Sequence, residues 1–254
     1  MEVIKMSKFN KKISPSIMCG DWLNIEKMIY QLEAAKADWI HVDIMDGHYV
    51  PNITFGIDMV NQIRRIVDIP LDVHMMAYHP EKFFERFELD QRDIITVHYE
   101  EIENLDKVIM LLKQKKIKVG IALKPETDIS VLSPYLDDIN IVLLMMNKPG
   151  GYGRAMEVGM MDKIRDTKAL ITGSGKKVLI EVDGSVSYAL AGDMSYAGAD
   201  VFVAGTSSIF NKEMDLRSGV QKLRGIVNHI RTDQNIQKLA SVNDKKELIK
   251  YSVS

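Results

Sequence analysis

Three short stretches of this sequence carry side chains that bind cations or move protons. WIHVDIMDG holds His41 and Asp43, LDVHMM holds Asp72 and His74, and EVDGS holds Glu181 and Asp183. Alternate residues of a strand face opposite sides. His41, Asp43 and Met45 therefore share one face, with Ile40, Val42 and Ile44 on the other. Asp72, His74 and Met76 oppose Leu71, Val73 and Met75 in the same way, and ISPSIM sets Ser14, Ser16 and Met18 on one side. Charged residues among apolar ones are costly unless paired, hydrogen-bonded or bound to a cation. His41, Asp43, His74 and Asp183 together form a ligand set for one divalent ion, and this set does not choose among Zn²⁺, Mn²⁺, Fe²⁺, Co²⁺ and Mg²⁺. The alternative is a group of interior polar residues satisfied by hydrogen bonds alone. Four such residues of matched parity at strand ends favour the ion.

A second group of residues suits an anion. MMNKPGGYGR supplies Gly150, Gly151 and Gly153, VDGS supplies Gly184 and Ser185, and AGTS supplies Gly205, Thr206 and Ser207. Small residues let backbone N–H groups approach a phosphate, and hydroxyls add donors. Each loop alone is equally an ordinary turn with a Ser or Thr cap.

The elements that would position these residues follow from periodicity. Eight apolar runs predict strands: Ile13–Met18, Trp39–Asp43, Leu71–Met75, Ile94–His98, Lys118–Leu123, Ile139–Met145, Val178–Asp183 and Val201–Ala204. Between them, amphipathic stretches predict helices at Asn24–Ala35, Asp58–Ile66, Pro80–Phe87, Asn104–Gln114, Met156–Thr172, Tyr188–Tyr196 and Leu216–Ile230, with one or two turns at Asp128–Tyr135. Alternating strands and helices require parallel strands with helical crossovers. Eight such units in 254 residues predict an α/β fold, a closed (β/α)₈ TIM barrel in a single domain, whose strand C-termini carry the site. An open doubly wound sheet is the competing architecture, but no strand is followed by a Gly-rich dinucleotide fingerprint. The barrel is expected over 13–230, with a polar N-terminal extension at 1–12 and a polar C-terminal tail at 231–254.

Composition narrows the class. Lys and Arg total 33 against 35 Asp and Glu, so net charge −2 gives no pull toward nucleic acid or an anionic membrane. A lone cysteine, Cys19, excludes an internal disulfide framework. No run of 18 apolar residues or secretory signal is present, so a cytoplasmic location is expected. Of the 16 methionines most suit the core, but Met45, Met76 and Met145 fall at strand ends near the inward parity, where thioethers could wall a reacting carbon. Lys124 and His98 end strands and are read as supporting residues, and Cys19 as a small buried one.

Taken together, SPSIMCGD, HVDIMDGHYVPN, LDVHMM, EVDGS and VAGTSSIF resemble the ribulose-phosphate 3-epimerase family across about residues 13–230. Within it, the Asp-Gly-Ser and Gly-Thr-Ser forms resemble the D-allulose-6-phosphate 3-epimerase branch, whereas pentose-phosphate members more often carry Asp-Gly-Gly and Gly-Ser. The resemblance implies a ribulose-phosphate-binding barrel and a metal-dependent epimerase that inverts C3 of a ketose phosphate, D-ribulose 5-phosphate or D-allulose 6-phosphate. It implies that His41, Asp43, His74 and Asp183 hold the metal and that Asp43 and Asp183 are also the acid–base pair. Ser16 and His74 would contact the sugar. Gly150, Gly151, Tyr152, Gly153, Gly184, Ser185, Gly205, Thr206 and Ser207 would bind substrate, mostly its phosphate, while Met45, Met76 and Met145 shield the enediolate. The partner is then a ketose phosphate, and the assembly a homo-oligomer, dimer or hexamer.

One loop departs from the family pattern. Where relatives read Pro-Gly-Phe-Gly/Ala-Gly-Gln, this chain reads Pro149-Gly150-Gly151-Tyr152-Gly153-Arg154. A barrel that binds sugar phosphates without turnover, or with altered specificity, is the alternative this loop supports. Related phosphate-binding barrels with decarboxylase or aldol chemistry carry Asp-x-Lys-x-x-Asp. The nearest counterpart here, Asp43-Ile44-Met45-Asp46, has Met in place of Lys. A metal-dependent hydrolase would show His-x-His on the first strand, which here reads Ser-Pro-Ser.

Overall fold

The computed structural model describes residues 11–151, 153–211 and 213–229. The expected tail at 231–254, most of the N-terminal extension and Tyr152 lie outside the described residues. Eight parallel strands form the wall: β1 (Lys12–Pro15), β2 (Ile40–Met45), β3 (Leu71–Met76), β4 (Ile94–His98), β5 (Lys118–Leu123), β6 (Ile141–Met145), β7 (Leu179–Asp183) and β8 (Val201–Ala204). They are ordered β1-β8-β7-β6-β5-β4-β3-β2, and a parallel bridge between Ser16 and His41 closes β1 onto β2. The helices are α1 (Ile25–Ala34), α2 (Ile57–Ile66), α3 (Leu105–Gln114), α4 (Met160–Ser174), α5 (Ala191–Ala197) and α6 (Leu216–Val227).

The strands carry two different faces. Val42 and Ile44 of β2, Val73 and Met75 of β3, and Ile180 and Val182 of β7 belong to the large outer core between strands and helices. The inward face is layered. Trp39, Ile94, Ile141 and Val201 pack as an apolar floor, and burial of each large side chain contributes about 1.5–3 kcal/mol. Above it lies a polar layer, with Ser14, His41, Asp72, Thr96 and Glu181 all fully buried. At the upper end Met45 and Met76 pack with Val50, and Met145 packs with Ala122 and Leu143.

Several expected boundaries shift for identifiable reasons. The first strand starts at Lys12 and ends at Pro15. Lys11 and Lys12 therefore belong to the barrel rather than to an extension, and buried Lys11 donates Nζ to the Ala199 carbonyl at 2.7 Å. Ser16 makes the last bond to β8, its N–H donating to the Ala204 carbonyl at 3.0 Å, and the chain then turns into a 3₁₀ segment at Ile17–Cys19. The helix expected at Pro80–Phe87 is instead two 3₁₀ turns, Pro80–Lys82 and Phe84–Arg86, entered through left-handed His79 (φ 50°). A connection this short suits 3₁₀ turns. The segment at Ile129–Tyr135 is also 3₁₀, capped by the Asp128 side chain on the Ser130 N–H and holding Pro134. The fourth long helix begins at Met160, not Met156, because Gly159 adopts a left-handed backbone before it. The next begins at Ala191, after a turn in which the Leu190 and Ala191 N–H groups return to the Ser187 carbonyl.

Candidate metal and acid–base centre

Strand register assembles the centre. Asp43 of β2 lies beside His74 of β3, Met45 beside Met76, and Met145 of β6 beside Asp183 of β7. Because β1 and β8 lie between β2 and β7 around the wall, Asp43 and Asp183 approach from separate sides. Asp43 Oδ1 is 3.3 Å from His41 Nε2 and 3.3 Å from His74 Nδ1, and Asp183 Oδ2 is 3.6 Å from the same His74 nitrogen. Donor atoms of His41, Asp43, His74 and Asp183 all lie within 4.8 Å of one another. The four fit a divalent ion by donor type and by convergence: two imidazole nitrogens and two carboxylates, buried except for Asp183, whose side chain is 17% exposed.

Neighbouring groups set the charges. Burial works against ionising Asp43, but chiefly the charge and hydrogen bond of His41 outweigh it and hold the carboxyl well below its usual range. Ser16 adds a 2.6 Å hydroxyl hydrogen bond to Asp43 Oδ2. Asp183 moves the other way: burial and the charge of Asp43 push its carboxyl up. Two carboxyls of the same chemistry are thus driven apart, the pattern of a base beside an acid.

A supporting layer lies beneath. His41 Nδ1 is 2.7 Å from Asp72 Oδ2, which also accepts from Ser14 Oγ at 2.9 Å. Glu181 Oε1 is 3.9 Å from His41 Nδ1. Burial and the charge of Asp72 hold the Glu181 carboxyl well above its usual range. His41, Asp72 and Glu181 form a second close group of possible ligands, which shares His41 with the first. Inward parity on the strands signals Asp72 and Glu181, but nothing in the sequence reports that Asp72 pairs with His41.

Above the centre opens a cleft of about 560 Å³, its mouth included. Asp43 and Asp183 reach it, whereas His41 and His74 lie fully buried below. Its lining includes Ser16, Met45, Met76 and Met145, together with Gly150, Gly151, Gly153, Gly184, Ser185, Gly205, Thr206 and Ser207. Met18, Cys19 and Asn147 line it as well and were not expected there. Burial raises the Cys19 thiol to about 11, with Asp43 adding to the effect, so the group is a poor nucleophile. Lys124 stands outside the lining, its Nζ 3.3 Å from Glu101 and 4.7 Å from the centre of the Tyr49 ring.

The divergent loop folds onto itself and its neighbours. Arg154 Nη1 donates to the carbonyls of Lys148 (3.0 Å) and Pro149 (3.4 Å), so its guanidinium braces the loop. The Arg154 carbonyl accepts from Ser185 Oγ at 2.9 Å. Gly150 (φ +92°) and Gly184 (φ +91°) are left-handed, and a Cβ on them would meet Val50 at 2.6 Å and Asn147 at 2.7 Å respectively.

Known proteins resemble this chain in sequence and in fold. The profile of the Ribulose-phosphate 3 epimerase family matches residues 12–210. The chain is 38% identical over 215 residues to a ribulose-phosphate 3-epimerase of Bacillus subtilis, covering 84% of this chain and 98% of the relative. It is 35% identical over 213 residues to the enzyme of that name from Escherichia coli K12, covering 84% and 94%. Among solved structures, a tryptophan synthase alpha-subunit from Pyrococcus furiosus superposes with a TM-score of 0.62 at 16% identity, over 87% of this chain and 100% of that one, which speaks to the barrel fold alone.

Proposed function

The chain belongs to the ribulose-phosphate 3-epimerase family, isomerases acting on sugar phosphates, and from that premise we propose that it inverts C3 of D-ribulose 5-phosphate to give D-xylulose 5-phosphate. The observation that carries this reading is the meeting of Asp43 and Asp183, from separate sides of the barrel, with His41 and His74 beneath the cleft.

Epimerisation beside a carbonyl needs removal of a weakly acidic C–H proton and its return to the opposite face. Asp43, held ionised, takes the C3 proton onto a carboxylate oxygen. Asp183, whose raised pKa favours the protonated form, gives a proton to the other face of the enediolate. The roles exchange in the reverse direction, and after each forward reaction Asp43 releases its proton to solvent and Asp183 regains one, which restores the starting state. His41 Nε2, Asp43, His74 Nδ1 and Asp183 would hold one divalent ion, which supplies Lewis-acid stabilisation of the developing oxygen charge. Ser16 orients Asp43 through its 2.6 Å hydrogen bond. Met45, Met76 and Met145 form an apolar wall that keeps water from the reacting carbon. Gly184, Ser185, Gly205, Thr206 and Ser207, with Gly150, Gly151 and Gly153, receive the phosphate, and Tyr152 belongs to the same loop in sequence. Remote phosphate binding then fixes the sugar for reaction.

Ser185 and Thr206, in the Asp-Gly-Ser and Gly-Thr-Ser forms, support D-allulose 6-phosphate as a second substrate. The test is a panel of D-ribulose 5-phosphate and D-allulose 6-phosphate with added Mn²⁺, Zn²⁺, Co²⁺ or Mg²⁺, following both epimer formation and exchange of the C3 proton in D₂O. Turnover of D-ribulose 5-phosphate supports the reading, and turnover of D-allulose 6-phosphate alone would reassign the substrate. Tight binding of both without C3 exchange would replace it with a sugar-phosphate-binding barrel.

A further inference from the structure

His74 presents its two ring nitrogens to different surroundings. Nδ1 faces Asp43 Oδ1 at 3.3 Å and Asp183 Oδ2 at 3.6 Å. Nε2 lies 2.9 Å from Nε2 of His98, the last residue of β4. His98 Nδ1 in turn lies 3.3 Å from Glu100 Oε2. The Tyr49 ring covers His98, with ring centres 4.8 Å apart, and both imidazoles are almost wholly buried. The result is a chain of three polar side chains that begins on the half-buried Glu100 and ends at the centre.

Hydrogen-bond polarity runs along this chain in one direction. An ionised carboxylate only accepts, so the His98 proton sits on Nδ1, facing Glu100. With one proton per ring, His98 Nε2 is then bare and accepts. His74 must supply the proton between the two rings from its own Nε2. That leaves His74 Nδ1 with a free lone pair directed at the Asp43 and Asp183 oxygens, the state in which imidazole ligates a cation. The opposite tautomer would place an N–H where the cation belongs.

We propose that Glu100, acting through His98, fixes His74 in the Nε2–H tautomer and so keeps Nδ1 open for the divalent ion. Glu100 and His98 are positioning residues, and the inference rests on the metal reading of the four-residue cluster. Glu100 is well suited to set the direction because its other oxygen is already committed. Oε1 accepts from the Lys124 backbone N–H at 2.8 Å and from the Thr127 hydroxyl. The Lys124 N–H can only donate, so whichever atom stands there must be an acceptor.

That constraint makes Glu100→Gln a reversal rather than a deletion. The glutamine oxygen must take the place of Oε1, which turns the amide NH₂ toward His98 Nδ1. His98 would then carry its proton on Nε2 and donate to His74, driving the His74 proton onto Nδ1. The experiment labels the protein with ¹⁵N-histidine and reads ring tautomers from long-range ¹H–¹⁵N correlations in the metal-free full chain. Zn²⁺ affinity is measured alongside by competition with a chromophoric chelator. The wild type should show His74 as Nε2–H. Glu100→Gln should move the proton to Nδ1 and weaken Zn²⁺ binding about 10- to 100-fold. His98→Leu, which removes the acceptor with little change of volume, should lose the single Nε2–H state and weaken Zn²⁺ comparably, with its circular dichroism checked against wild type. A wild-type His74 protonated at Nδ1, or a Glu100→Gln protein with unchanged tautomer and Zn²⁺ affinity, would overturn the proposal. Absence of Zn²⁺ binding in the wild type would sink the metal reading instead, while the tautomer spectra would still decide the direction of the chain.

Discussion

Ser16 donates its hydroxyl to Asp43 Oδ2 at 2.6 Å, from the residue that also closes the barrel wall against His41. A donor on a carboxylate stabilises its ionised form, and such charged hydrogen bonds contribute about 1.5–3 kcal/mol. Ser16→Ala should therefore lower kcat/KM about 10- to 100-fold. Loss of the donor also raises the Asp43 pKa, so the acid limb of the kcat/KM profile should move to higher pH. A pH–rate profile of the variant checks both.

Asp183 is the proposed carrier of the proton to the second face. Asp183→Asn keeps the shape and removes the acid, and general acid–base catalysis is worth about 10²–10⁴-fold. Net epimerisation should fall by at least that range while the circular dichroism spectrum is unchanged. Near-normal epimerase activity would refute the assignment.

Removal of the cation should silence the enzyme and soften it. Activity should vanish on exhaustive chelation and return with a divalent ion. An ion present at about 100 times its Kd adds about 2.7 kcal/mol to the folded state, which for a chain of this size corresponds to a Tm rise of about 5–10 °C. Differential scanning fluorimetry across a metal series measures it. Full activity in metal-stripped protein would eliminate the Lewis-acid role.

Gly150 shows how the divergent loop is held against its neighbour. Its φ of +92° is foreign to residues with a side chain, and a Cβ there would stand 2.6 Å from Val50. Gly150→Ala adds about 1–3 kcal/mol of strain, which opening of the loop relieves. Substrate KM should rise about tenfold or more, since about 1.4 kcal/mol is a tenfold change in binding. Tm should hardly move, because the loop lies outside the core. Steady-state kinetics and a melt separate the two effects.

Glu100 gives a pH dependence of known sign. Burial raises its carboxyl, but hydrogen bonds from His98, Thr127 and the Lys124 N–H outweigh this and lower it from 4.5 to about 2. A depressed carboxyl stabilises the fold above its unfolded value and loses that contribution as pH falls through the folded one. Wild-type stability should therefore decline between about pH 4.5 and 2, and Glu100→Gln should flatten that part of the decline. Urea melts at successive pH values read the difference. Equal slopes in the two proteins would exclude Glu100 as the source.

Much of this architecture is legible from two periodicities. The alternation in WIHVDIM and LDVHMM already separates His41, Asp43, Asp72 and His74 from their apolar neighbours, because burial on both strand faces leaves no other arrangement. The 3₁₀ turns at Pro80–Lys82 and Phe84–Arg86 read as a helix because spacing alone does not distinguish one short turn from another. Asp72 on His41, His98 on His74 and Glu100 on His98 escape a linear reading for a different reason. The first two pairings depend on register between separate strands and the third on ring orientation, which no local pattern encodes. Cys19 and Met18 come to the cleft because the chain leaves the wall in the 3₁₀ turn at Ile17–Cys19 and bends over the rim.

The closure of the wall has a wider consequence. Among the described residues, β1 meets β2 through the Ser16–His41 bridge near the cleft, with the Asp38 and Trp39 N–H groups on the Ile13 carbonyl at the other end. The other staves are laced along four to six residues each, except β7 and β8, which pair at two. The thinnest joint of the cask is therefore also its working edge. Mild heating or denaturant that loosens this joint would part the residues that orient the base before the remaining staves spring, so catalysis should fail earlier than ellipticity.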